Sequence, residues 1–383
     1  VKATRLDRQA VALLSPTRVK RLLWLDISKG LAIFVVVYFH FYKTYFEHRS
    51  VAWPDWGSLG PALVDSGRFA WYKVSELGFH AVGVFIILSG WALMQSTVRR
   101  SAAGEVNWLD WYRTRLFRLY PMYWVAHIVY LVSPFVARFE QVDGRIVLSL
   151  LGLRFINIGM NFYYLNAAWW YFGMLIQFYL IFPALFWSAR KFGPWIFLLL
   201  ALVIGFASRY LLLVAYPQNG MWVQGGCAIC RLPEFALGIV LGIWASRSSR
   251  LEWFLLKGPG LIAGLLIYPA ALQLYRNGFT YVFVDFATAV CGFLVIVGIA
   301  GAISKFSRLA KILGLLGAYS YGLYLVHQPY VIWLGLRIRE VPIWMFLIIA
   351  ALTVAVLSVW GAFLERLTNA LVSKTSLLFS KSS

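Results

Sequence analysis

Polar residues are spaced so widely along this chain that apolar runs of membrane length lie between them. A bilayer-crossing helix needs about 20 mostly apolar residues. By that measure about ten spans are expected, at roughly 24–46, 78–97, 119–136, 168–188, 194–215, 231–246, 259–275, 281–303, 316–336 and 342–364. Short loops join them. The pattern therefore predicts an all-α, polytopic membrane helix bundle occupying residues 24–366, preceded by a basic tail at 1–23 and followed by a tail at 367–383. Trp and Tyr gather at span ends ("NAAWWYFGM", "RLYPMYW"), where amphipathic rings favour the interface. Glycines recur inside spans ("GIVLGIW"), as close packing of helices in lipid permits. Two longer segments, 47–77 and 137–167, mix charge with aromatic residues. They are expected either to cap a cavity, where aromatics and scattered polar groups suit a sugar face, or to lie on the membrane as interfacial helices.

Composition agrees with this reading. Of the 383 residues, 61% are hydrophobic and only 13% are charged, against roughly half and a quarter in a soluble domain. A net charge of +20 invites a nucleic-acid partner, but its distribution argues for topology instead. With the spans alternating from an inner N-terminus, the inner segments carry 22 of the 35 Lys and Arg residues and the outer segments carry 9. That bias places both termini in the cytoplasm, and contact with anionic headgroups adds to the role of these charges. Residues 1–23 lack the apolar centre and cleavage site of a signal peptide. Three cysteines are too few for a disulfide framework. Cys227 and Cys230 form a C-x-x-C without further metal ligands nearby, which predicts a packed thiol pair or a local disulfide. No metal site is expected.

The first span, "LDISKGLAIFVVVYFH" (25–40), carries Asp26, Lys29 and His40. A helix turns 100° and rises 1.5 Å per residue, so Lys29 and His40, eleven residues apart, share a face about 16 Å apart along the axis. Asp26 lies one turn below Lys29. Ile33 and Val36 continue the stripe between Lys29 and His40, and Lys43 extends it. Ionisable groups facing lipid are unfavourable, so such a face is expected to look into the bundle. Asp26 and Lys29 are also close enough to the inner interface to be ordinary interfacial residues. His40 lies some 22 Å along the helix from residue 25, still within the hydrocarbon thickness. Imidazole titrates near physiological pH, which suits a general base. A histidine that merely hydrogen-bonds a neighbour is the alternative.

These residues resemble the first helix of the acyltransferase-3 family, membrane O-acyltransferases that modify surface glycans and related acceptors. The family pattern is Leu-Asp-x-x-Arg-Gly followed by a hydrophobic run ending in His, with ten residues between the Arg and the His; here Lys29 stands for the arginine. Further segments agree in order: "GVFIILSGWAL" (83–93), "RTRLFRLYPMYW" (113–124), "WWYFGMLIQFYLIFPAL" (169–185), "RLPEFALGIVLG" (231–242) and "YSYGLYLVHQP" (319–329). The resemblance covers about residues 24–366. Gln177 sits where some members are acidic, and "FLERLTN" keeps Glu365 without the proline often found nearby.

The resemblance implies acyl transfer, most simply of acetyl, from cytoplasmic acetyl-CoA to a hydroxyl of a polysaccharide or lipid-linked sugar in a bacterial inner membrane. The acyl-CoA is a donor substrate and no cofactor is bound permanently. Exopolysaccharide, O-antigen and periplasmic glucan all fit as acceptors. Arg113, Arg115 and Arg118, with Lys29, are the expected acyl-CoA-binding groups, because guanidinium suits phosphate. His40 is the expected base, and Asp26 enters the catalytic set by orienting Lys29 or another polar group. Arg231 and Glu234, three apart, are expected to pair. His327, two residues before Pro329, is expected to line the cavity or cap backbone groups freed where the proline interrupts its helix. Glu365 is expected to meet inner basic residues. His80 is given no catalytic role. The competing classes are a transporter or flippase using the Asp, Lys and His as a path, which the absence of a visible internal repeat disfavours, and a non-catalytic membrane scaffold.

Overall fold

The computed structural model describes residues 23–46, 75, 77–102, 104–133, 142–245 and 249–380. The N-terminal tail up to residue 22 and nearly all of the 47–77 segment lie outside the described residues. Among those described, the chain is helical with connecting turns and no strand. An apolar chain that leaves water satisfies its backbone groups within each segment, which helices do.

The helices are α1 (Leu23–Phe46), α2 (Ala81–Ala102), α3 (Trp108–Val132), α4 (Arg145–Leu150), α5 (Ile158–Tyr163), α6 (Trp170–Phe192), α7 (Pro194–Tyr210), α8 (Leu232–Ala245), α9 (Ser249–Leu256), α10 (Pro259–Leu272), α11 (Tyr281–Ile303), α12 (Ser307–Ala318), α13 (Ser320–Arg337) and α14 (Ile343–Ser380). By length and composition, six helices suffice to cross a membrane, or up to eight when two bent pairs are each taken as one span. The expected number was about ten. Two of those ten fall short for physical reasons. Helix α3 begins with Asp110, Arg113, Arg115 and Arg118 inside it. Helix α8 has 14 residues, about 21 Å of rise against a core of about 30 Å.

The bent pairs are α9 with α10, at 60°, and α12 with α13, at 75°. The first bend falls at Gly258, whose φ of 114° suits glycine, followed by Pro259 in the first turn of α10. The second falls at Tyr319, not at Pro329: α13 continues through that proline as one helix. Helix α14 also runs on to Ser380, so the expected C-terminal tail is largely helical.

Glycines set the closest crossings. A Cβ on Gly317 would run into the Asp26 carbonyl oxygen, and one on Gly30 into the Leu313 carbonyl oxygen, so α12 and α1 touch backbone to backbone. Gly90 and Gly238 do the same for α2 and α8, and Gly322 and Gly361 for α13 and α14. Small residues that let backbones meet are the usual means of packing helices in lipid. These contacts fix direction as well as distance. Gly317 lies by Asp26, while Gly335 lies by Thr44. Gly317 ends α12 just before α13 begins, so α13 starts by the Asp26 end of α1 and runs parallel to it toward Thr44. Between them, Ile33, Val36 and Val37 of α1 are buried with Leu323 of α13 and Phe346 and Ala350 of α14. The stripe between Lys29 and His40 is thus packed by side chains.

Gly317→Val is expected to lower the thermal unfolding midpoint in detergent, by the 1–3 kcal/mol or more that overpacking costs. Gly278→Ala, whose Cβ would meet nothing within 4 Å, serves as the control and is expected to leave the midpoint in place.

Candidate active site

Parallel packing of α1 and α13 brings His40 and His327 together. Their ring centroids are 5.3 Å apart, with the planes at 43°. His40 is half-buried, and His327 is fully buried. Aromatic rings surround the pair: Phe39 lies beside His40 and Phe79, and Tyr324 beside His327 and Tyr171. The His327 Nδ1 donates to its own helix, 2.8 Å from the Tyr324 carbonyl and 3.2 Å from that of Leu323.

The turn of α13 that carries His327 is bolted to residues 166–172. Pro329 has no N–H, so it offers nothing to the Leu325 carbonyl four residues earlier. That oxygen instead accepts from Asn166 Nδ2 at 3.0 Å and Trp169 Nε1 at 2.9 Å. Gln328 Oε1 accepts from the Ala168 N–H at 2.5 Å. The Tyr324 hydroxyl donates to the Ala168 carbonyl and accepts from the Phe172 N–H at 3.2 Å.

The 166–169 turn is itself held by Arg154, which is fully buried. Its Nη2 donates to the carbonyls of Met160, Asn161, Tyr164 and Asn166, and its Nη1 to Ser149 Oγ at 2.8 Å. Leu165 adopts a φ of 54°, uncommon for a branched side chain. Its flanking carbonyls, of Tyr164 and Asn166, both reach the same guanidinium. Part of the 137–167 segment expected to cap a cavity is therefore a wedge built around one arginine. Sequence reasoning gave Arg154 no role.

The other predicted residues lie apart from this pair. Asp26 sits at the opposite end of α1, about 21 Å along the axis from His40, and is buried. Lys29 is half-buried one turn further on. Arg115 belongs to the same end of the bundle: it donates to Ser96 Oγ at 2.5 Å and lies 4.8 Å over the Trp111 ring. Arg100 of α2 pairs there with Asp110 at 2.9 Å. Arg113 and Arg118 are exposed, Arg113 against Phe117. Glu365 Oε2 accepts from the Gly322 N–H at 3.0 Å, in the first turn of α13. Such a carboxylate satisfies an N–H that has no partner within the helix and complements the helix dipole.

Arg231 and Glu234 do meet, Nε to Oε1 at 3.1 Å, but inside a larger group. Asp285 Oδ2 lies 2.7 Å from Arg209 Nη1 and 2.8 Å from Arg231 Nη1. All four side chains are buried, and two guanidinium groups face two carboxylates. Arg209 also donates to the carbonyls of Tyr281 and Val282. The group joins α7, α8 and α11. Beside it, His80 meets the Tyr268 hydroxyl at 2.6 Å through Nδ1 and the Tyr275 hydroxyl at 2.8 Å through Nε2. A small cavity is lined by His80, Gln224, Arg231, Asp285 and Thr288 together with the apolar Phe79, Val82 and Trp170. Asp285 is the main residue missed from the sequence. A lone carboxylate in "YVFVDFATAV" was the available signal, because charges within spans pair with one another.

Cys227 and Cys230 are both free thiols. A hydrogen bond from Cys230 pulls the Cys227 thiol down to about 6, while its partner is pushed up. The segment is pinned by Gln177, which donates to the Gly226 carbonyl and accepts from the Ala228 N–H, both at 3.1 Å. An amide does both at once, which a carboxylate cannot.

A polytopic helical membrane protein with a polar site enclosed between its helices is the class these features define. Within that class, the chain belongs to the acyltransferase-3 family: the family model described as an acyltransferase domain matches residues 22–363. It is thereby a membrane acyltransferase. No curated protein and no solved structure matches the chain.

Asp285→Asn leaves two buried guanidinium groups facing one carboxylate. It is expected to destabilise the protein by about 3–5 kcal/mol, read as thermal unfolding in detergent. Replacing Arg209 by Met in the same chain is expected to recover part of that loss.

Proposed function

We propose that the protein transfers an acetyl group from acetyl-CoA to a hydroxyl of a glycan or lipid-linked sugar, with His40 as general base. The observation that carries this reading is the placement of His40. It lies between helices beside a second histidine, at the end of α1 remote from Lys29 and Arg115. Phosphates of the donor suit the basic end, where guanidinium groups offer paired donors. The Lys and Arg bias, counted over the spans expected from the sequence, favours the cytoplasm for that end, which is where acyl-CoA is found. The bundle would then lie in a bacterial inner membrane with both termini inside.

The chemistry asks for one base. The acceptor hydroxyl attacks the thioester carbonyl as His40 takes its proton. The thiolate of CoA leaves readily, so the base matters more than an acid for the leaving group. Arg115 and Lys29 hold the donor, joined by Arg113 and Arg118 from the exposed side of α3. Asp26 keeps to the donor end. Arg231, Glu234, Arg209 and Asp285 brace the helices around the site, and Glu365 braces the start of α13.

Purified protein given acetyl-CoA and a candidate glycan is expected to release CoA in step with acylated product. His40→Ala is expected to lower turnover by about 10²–10⁴-fold, the usual contribution of a general base, while acetyl-CoA still binds. Wild-type turnover in His40→Ala would remove His40 from the chemistry. Solute movement without CoA release would replace the enzyme reading by the transporter.

A further inference from the structure

Four histidines are described, at positions 40, 80, 127 and 327. His127 and His327 share a local device. In each, Nδ1 lies against a carbonyl of its own helix: 2.9 Å from Tyr123 for His127, and 2.8 Å from Tyr324 for His327. A carbonyl oxygen only accepts, so Nδ1 carries the proton and Nε2 of the neutral ring presents a bare lone pair. At His127 the lone pair is used, because Ser149 Oγ donates to it at 2.9 Å. At His80 both nitrogens meet tyrosine hydroxyls. At His327 it is not used: Nε2 is buried without a hydrogen-bond partner among the described residues. Buried polar atoms in native proteins are nearly always satisfied, so each exception calls for an explanation, of which a catalytic role is one.

The ring beside this orphan is His40, whose centroid is 5.3 Å away. An N–H···N bond of ordinary length, about 2.9 Å, between facing imidazole edges requires a centroid separation close to the 5.3 Å observed. The rings are tilted at 43°, so a rotation of the half-buried His40 completes the alignment. Catalytic hydrogen bonds often tighten in this way when substrate binds.

We propose that His327 is the positioning residue for the base: its bare Nε2 accepts a hydrogen bond from an N–H of His40. The other ring nitrogen of His40 is thereby held unprotonated toward the acceptor hydroxyl. The proposal rests on the reading of His40 as base and deepens it. As the hydroxyl oxygen bonds to the thioester carbon, its proton passes to the free nitrogen of His40. The C–S bond then breaks and the thiolate leaves. The His40 imidazolium keeps its bond to His327 until it returns that proton to the thiolate, giving ester and free CoA with both rings neutral again. In hydrolytic triads a carboxylate orients the histidine. Here a neutral ring does so, and no further charge needs to be buried.

Two substitutions separate positioning from packing. His327→Phe keeps a ring and removes the acceptor, whereas His327→Gln keeps an acceptor oxygen. In preparations that remain monodisperse in detergent, His327→Phe is expected to lower kcat by roughly 10²-fold or more, since loss of the correct tautomer is costly in triads. The KM for acetyl-CoA is expected to stay near wild type, and His327→Gln to recover most of kcat. Wild-type kcat in His327→Phe, or a parallel loss in both variants with a raised KM, would overturn the proposal.

A spectroscopic measurement stands apart from turnover. Nitrogen-15 spectra of histidine-labelled wild type are expected to show His327 protonated at Nδ1, with an Nε2 signal that shifts in His40→Ala. A His327 protonated at Nε2, or an Nε2 signal indifferent to His40→Ala, contradicts the positioning role. If the spectra show the pair but no variant, wild type included, releases CoA, the positioning geometry stands and the acyl-transfer reading falls.

Discussion

The hydrogen bonds to the Leu325 carbonyl are the joint on which the candidate site depends. Pro329 cannot satisfy that oxygen, and a membrane interior offers no water to do so. Asn166 and Trp169 reach it from outside the helix instead. Their own turn is gathered by Arg154, whose guanidinium collects the carbonyls around it. One missing N–H thus ties a connecting segment to α13 and orients the turn that carries His327. Parallel packing of α13 on α1, with Gly317 at the end of α12 against Asp26 and Gly335 of α13 against Thr44, then delivers that turn to His40.

The same rule, that polar groups in a dry bundle find partners inside the protein, explains the second buried centre. Arg209, Glu234 and Asp285 come from three helices that share no local sequence, and Arg231 from the turn leading into α8. Each alone would be costly in lipid. Together they neutralise one another and fix the relative heights of α7, α8 and α11. Their worth lies less in net stability, which buried ion pairs seldom provide, than in the register they impose. Phe79, between His80 and the ring of Phe39, links this centre to the histidine pair.

How much of this was legible in the sequence follows from what a helix repeat reveals. Positions along one helix fix which residues share a face, so the helical period alone aligns Lys29, Ile33, Val36 and His40. The run of matching segments pointed to the family. What lies across from a face is another matter. Nothing in "YLVHQP" shows that His327 meets His40, because that contact depends on the parallel course of α13. Arg154 looked like an ordinary charge in a connecting segment, since its partners are backbone carbonyls with no sequence signature. Asp285 stands as a lone carboxylate in an apolar run, but nothing in the sequence matches it to Arg209. Length misled in its own way. Helix α8 reads as a span by hydropathy but is too short as a helix, and the bend at Tyr319 has no proline to announce it.

The central claim is that α1 connects a donor end, at Lys29 and Arg115, to a reacting end at His40. The direct measurement is photo-crosslinking with an acyl-CoA analogue carrying its photoreactive group on the acyl carbon, followed by mapping of labelled peptides. Labels in the turns of α1 and α13 around His40 and His327, suppressed by excess acetyl-CoA, are the predicted result. Labels confined to the Arg115 end, near Ser96 and Trp111, would mean that the acyl group never reaches His40 and would contradict the account.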